Sequence, residues 1–110
     1  MTEIPESGDP GIVIDLLEGE CPVQGEGLVD GVEFYFRARG ARWSLSIGGT
    51  DLVGNPDWYY EEPYGTGPYD AGVMSPEEAV AFLKKAVGLW RAGAEPMPRT
   101  SCLPSWFRPA

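Results

Sequence analysis

The sequence predicts an α+β domain: a three- to four-stranded antiparallel meander sheet, one long helix at about 76–91, and a short N-terminal helix, both helices on one sheet face. Three observations predict it. Two tight-turn signals, Asp30-Gly31 and Gly40-Ala41, separate strand-like runs. A capping box begins at Ser75. An apolar stripe of helical period follows it. The 110 residues, 43% apolar, allow one modest core. We expect a disordered leader at 1–8, a single domain at 9–93 and an extended arm at 94–110.

The first element is read from its punctuation. Asp9 suits an N-cap, Pro10 the first helical position and Gly19 the residue past the end. Ile12 with Leu16, and Val13 with Leu17, are i,i+4 apolar pairs. The β-branched run Ile12-Val13-Ile14 argues for a strand instead. The expectation is a short helix.

The meander comes next, with strands at 23–29, 32–39 and 42–48. If both turns are two-residue loops, Val29 faces Val32, Ala38 faces Trp43, Phe36 faces Leu45 and Phe34 faces Ile47. All four pairs are apolar, so that face is buried. Gly27 and Gly25 fall opposite Phe34 and Phe36, where a missing side chain leaves room for a ring. The other face pairs Arg39 with Arg42, Arg37 with Ser44 and Tyr35 with Ser46, and is polar.

Residues 49–73 have no clean period, and a short fourth strand is expected near 57–61. Loops of such length are often functional. Ser75 then caps a helix with Pro76 at its first position and Glu78 closing the capping box. Ala79, Phe82, Leu83, Ala86, Val87 and Trp90 form its core stripe. Gly93 ends it, and Pro96, Pro98, Pro104 and Pro109 punctuate the arm, with Trp106 and Phe107 as anchors.

The net charge of −9 lies in the first third of the chain. Residues 1–36 hold Glu3, Glu6, Asp9, Asp15, Glu18, Glu20, Glu26, Asp30 and Glu33 and no Lys or Arg, while the remainder is neutral overall. Such a field argues against nucleic-acid or anionic-membrane ligands and for a basic protein surface. The start of the chain is acidic and unlike a signal peptide, and no apolar run matches a membrane span, so a cytoplasmic location is expected.

Without histidine, nucleophile systems that use a His base are excluded, as are zinc sites with imidazole ligands. Cys21 and Cys102 are read as unrelated thiols, the alternative being a bridge that pins the C-terminal tail to the domain. No cofactor motif occurs. Glu61 and Glu62 are adjacent, so in an extended chain they point to opposite faces and do not form a paired acid–base site. Catalysis is not expected.

Two partner-binding patches are expected, the alternatives being acids that only keep the protein soluble and aromatics that only complete the core or decorate a loop. The first is Asp15, Glu18, Glu20, Glu26, Asp30 and Glu33, carboxylates able to occupy a Lys/Arg groove built for phosphates. The second is Tyr60, Glu61 and Glu62, exposed beside a buried Trp58. Arg37, Arg39 and Arg42 lie near Tyr35, a pattern that binds single strands elsewhere, but the surrounding acids oppose it and Glu26 and Glu33 are placed to neutralise them.

The stretch Phe34-Tyr35-Phe36-Arg37-Ala38-Arg39-Gly40, with Trp43-Ser44, Ile47-Gly48-Gly49, Tyr64-Gly65, Ala71-Gly72, Met74 and Glu77-Glu78-Ala79, resembles small proteins carried by bacteriophages and prophages. The likeness covers 20–90 and contains no catalytic motif, so it carries over no functional residue. Small acidic phage proteins include anti-CRISPR proteins, several of which resemble nucleic acid in charge. The resemblance implies a non-enzymatic inhibitor in the bacterial host cell. Its partner would be a basic surface of a CRISPR effector or another nucleic-acid-binding protein. The competing readings are an immunity or antitoxin-like cap on a basic nuclease toxin, a structural or scaffold phage component, and a small carboxylate hydrolase.

Overall fold

In the computed structural model, residues 5–52, 54–67 and 69–97 are described. They form a five-stranded antiparallel sheet in simple meander order: β1 (Ile12–Glu18), β2 (Val23–Val29), β3 (Val32–Arg39), β4 (Arg42–Ile47) and β5 (Trp58–Pro63). A 3-10 turn at Ala71–Val73 leads into one helix, α1 (Pro76–Arg91). The fold class and the long helix match the sequence reading, whereas the strand count and the N-terminal helix do not.

The N-terminal helix is replaced by β1, paired with β2 from Ile12↔Val29 to Glu18↔Gln24. The β-branched triplet prevails over the cap-like punctuation. Asp9 does accept a hydrogen bond from the Gly11 amide at 2.9 Å, but this closes a local turn and not a helix. A bulge between Ile14 and Leu16 gives β1 an additional residue. The inward positions are therefore Ile12, Ile14 and Leu17, and each of the pairs Ile12/Leu16 and Val13/Leu17 is split between the two sheet faces.

The central register follows the two turns. Phe34 pairs with Gly27 and Ile47, Phe36 with Gly25 and Leu45, and Ala38 with Val23 and Trp43. Asp30 and Gly31 hold φ of 50° and 81°, as a type I′ turn requires. A side chain at Gly27 would collide with the Val13 carbonyl and the Phe34 ring, so glycine lets β1 and β3 close on β2.

β5 completes the sheet, with Ile47↔Trp58 and Leu45↔Tyr60 on the inner face. It is longer than the expected short strand and makes five strands in all. Trp58 and Tyr59 are both 5% exposed, so adjacent residues on opposite faces are covered. That accounts for the missing alternation in the sequence.

α1 opens with the expected capping box: the Ser75 hydroxyl accepts from the Glu78 amide at 3.1 Å and the Glu78 carboxylate accepts from the Ser75 amide at 3.4 Å. Ala79, Val80, Leu83, Ala86 and Val87 are buried in one core with Val29, Phe34, Phe36, Leu45 and Ile47. Burying such side chains contributes about 1.5–3 kcal/mol each, against the entropy of ordering them. Trp43 is fully buried between the Phe36 and Phe82 rings, at centroid distances of 5.8 and 5.0 Å.

Beyond α1, Ala94 accepts a hydrogen bond from Trp58 Nε1 at 2.8 Å, and the Met97 amide donates to the Tyr59 carbonyl at 2.7 Å. The beginning of the arm thus runs beside β5. In the leader, the Ser7 hydroxyl donates to the carbonyls of Asp9 and Ile12. Cys21 is an exposed free thiol whose amide donates to Gly72 at 2.8 Å. Cys102, Trp106 and Phe107 lie outside the described residues. Among the described residues, no helix is long and apolar enough to cross a membrane.

Candidate protein-docking face

With α1 on one face of the sheet, strand alternation turns the other residues to the opposite face. On β1 to β3 this open face carries Val13, Asp15, Leu16 and Glu18, then Gln24, Glu26 and Leu28, then Glu33, Tyr35 and Arg37. Asp15, Glu18, Glu26 and Glu33 are exposed, and among the described residues none of the four makes an ion pair. Alternation from Ile14 turns Asp15 outward, and the bulge then brings Leu16, the register partner of Glu26, to the same face and turns Leu17 inward. Val13 and Leu28, at 49% and 38% exposure, give the acidic face an apolar end.

A shallow cleft of about 430 Å³ lies here, lined in part by Asp15, Glu26, Leu28, Glu33 and Leu52. Leu52 comes from the β4–β5 loop, which is tied to β3 through the Gly48 amide and the Glu33 carbonyl at 2.9 Å. Among the described residues, no three acidic or thiol side chains converge closely enough to hold a metal ion. The carboxylates are therefore spread over a surface and do not form a chelate.

Of the six acids expected in the first patch, Asp15, Glu18, Glu26 and Glu33 share this face. Glu20 is exposed in the β1–β2 connection, beyond the end of the strand. Asp30 is engaged elsewhere. Arg91 binds both of its oxygens, each at 2.9 Å, and also binds Asp9 at 2.6 and 3.2 Å. The Arg91 hydrogen bonds hold both carboxyls below the usual aspartate range, with the Gly11 amide assisting at Asp9.

The second expected patch does not form one exposed surface. Tyr60 is on the inner face, stacked with Trp58 at 6.0 Å and tilted against Trp43 at 5.8 Å. Its hydroxyl donates to Glu62, which also meets Lys85 at 2.6 Å. Glu61 points to the opposite face and pairs with Arg42 at 3.0 Å. Alternation along β5 separates the two glutamates, and all three residues are partly covered instead of exposed. The Glu62 hydrogen bond, with burial, pushes the Tyr60 hydroxyl up to about 12. Burial pushes the Glu62 carboxyl up, but the hydrogen bonds from Lys85 and Tyr60 outweigh it and the net shift is downward.

Arg37 and Arg39 make no ion pair among the described residues, so Glu26 and Glu33 do not neutralise them. Arg37 pairs in register with Gln24 and Ser44, and Arg39 with Arg42, which places both toward the opposite end of the face from Leu28 and Glu33. Sequence reasoning missed Val13, Leu28 and Leu52. Leu28 faces outward through the hairpin register that sets it opposite Glu33, and Val13 through its pairing with Leu28, which exists only because this segment is a strand and not a helix. Comparison with protein-family models, curated proteins and solved structures found no match to this chain.

Proposed function

We propose that the chain is a non-enzymatic acidic interaction protein that binds a basic surface of a nucleic-acid-processing complex and blocks access of nucleic acid. In this reading it acts in a bacterial cell in the manner of a phage-borne anti-CRISPR protein. One observation carries the proposal. The molecule pairs Asp9, Asp30, Glu61 and Glu62 with its own cations, while Asp15, Glu18, Glu26 and Glu33 stand exposed on one face and, among the described residues, make no ion pair. Exposed carboxylates meeting Arg or Lys make short charge-assisted hydrogen bonds of the kind phosphates make. A concentrated negative field also accelerates encounter with a basic partner, by roughly 10- to 1,000-fold at low salt.

The test is capture of a partner from a bacterial lysate on the immobilised chain, followed by competition with nucleic acid. The reading expects a nucleic-acid-binding protein that elutes with salt and loses its nucleic acid as the chain is added. A captured partner that binds the chain and nucleic acid simultaneously at full affinity would overturn it.

A further inference from the structure

The acidic sheet face also has a shape. Leu28 and Glu33 are direct cross-strand partners, and Glu26, two residues before Leu28, lies on the same face of β2. With Leu52 on the other side, the cleft of about 430 Å³ has apolar walls and a carboxylate margin. No cation of the protein pairs with Asp15, Glu26 or Glu33 among the described residues.

We propose that this cleft receives an arginine side chain of the partner, a specificity that rests on the reading above that the face meets a basic protein. The charge of the cleft requires a cation. Its apolar walls distinguish between the two cationic side chains. The aliphatic stem of either lies over Leu28 and Leu52. A guanidinium is weakly hydrated, planar and able to bridge separated carboxylates through several N–H groups. An ammonium is compact and strongly hydrated, and loses more by leaving water for an apolar wall. Asp15, Glu26 and Glu33 come from three neighbouring strands, so a planar fork with several N–H groups suits them better than a point charge.

Nona-arginine and nona-lysine peptides, equal in charge, separate this proposal from general attraction. Each is titrated into the full chain at about 0.15 M salt, where long-range attraction is screened beyond roughly 8 Å. Binding is followed by calorimetry and by amide chemical shifts. The expected result is roughly five- to tenfold tighter binding of the arginine peptide, with shifts centred on Glu26, Leu28, Glu33 and Leu52. Leu28→Ala, at an exposed position, removes the arginine preference but retains lysine binding. Glu26→Gln with Glu33→Gln weakens both peptides. Equal affinities with shifts on this face would overturn the arginine assignment and leave the acidic docking reading standing. Absence of shifts on the face with either peptide would overturn both. Self-association through the face, seen as a dimer in sedimentation, would also overturn the assignment.

Discussion

Arg91, the last residue of α1, and Asp30, at the tip of the β2–β3 hairpin, are 61 residues apart and joined by two parallel hydrogen bonds of 2.9 Å. The same guanidinium holds Asp9 at the entrance to β1. One cation therefore ties the end of the helix to the start of β1 and the end of β2, which lie side by side at one end of the strand pair. It also distinguishes Asp30 from Glu26 and Glu33: the former supports the fold, and the latter remain exposed toward solvent.

Removing this link loosens the N-terminal sheet edge. Arg91→Ala lowers the melting temperature by a few degrees, and Arg91→Lys recovers only part, because an ammonium does not engage two carboxylates bidentately. Asp30→Asn added to Arg91→Ala costs little more. Thermal melts of the native chain, Arg91→Ala, Asp30→Asn and the double variant close the cycle, and additive losses would contradict the link.

The link also has an acid dependence. Asp9 and Asp30 are held below their ordinary value of 3.8, so the folded state prefers them ionised. Their contribution is complete above that value and is lost as pH falls through the lower folded values. The melting difference between the native chain and the Asp9→Asn, Asp30→Asn variant is therefore largest above pH 3.8 and shrinks below it. Melts across an acid series measure this directly.

The core prediction concerns Phe36, which is 1% exposed and stacked on Trp43 at 5.8 Å. Phe36→Ala costs about 3–5 kcal/mol, as for other large-to-small changes at buried aromatics. Denaturant titration gives the number. A loss below about 1 kcal/mol would be inconsistent with close packing at that site.

Tyr60 yields an alkaline signature. Its hydroxyl titrates at about 12 against an ordinary 10.0, so the folded state favours the neutral phenol. That stabilisation is intact below pH 10.0 and disappears as pH rises through about 12. Tyrosinate absorbance in the native chain should show a late-titrating group that is missing in Tyr60→Phe.

Much of the fold was legible because local signals agreed. Asp30-Gly31 and Gly40-Ala41 set the register from Val29 to Ile47, and Ser75 with Glu78 marked the start of α1. β1 was misread as a helix because the bulge at Asp15 broke its period of two and the Asp-Pro start resembled a helix entry. β5 was only partly visible because Trp58 and Tyr59 are covered on opposite faces and no alternation survives. The segregation of charge was evident in the sequence. The capture of Asp30 by Arg91 was not, since ion pairs across 61 residues follow from tertiary packing. Likewise, alternation separated Glu61 from Glu62, but their cations, Arg42 and Lys85, come from a neighbouring strand and the helix.

The central claim is that the location of the open-face carboxylates, and not total charge, determines recognition of a basic partner. The direct measurement compares two triple variants of equal net charge against the captured partner at about 0.15 M salt. One is Asp15→Lys, Glu26→Lys and Glu33→Lys; the other is Glu6→Lys, Glu77→Lys and Glu95→Lys, at exposed positions away from the face. The account predicts at least a roughly hundredfold loss of affinity in the first and under about tenfold in the second, with both folded. Equal losses in the two variants would contradict it.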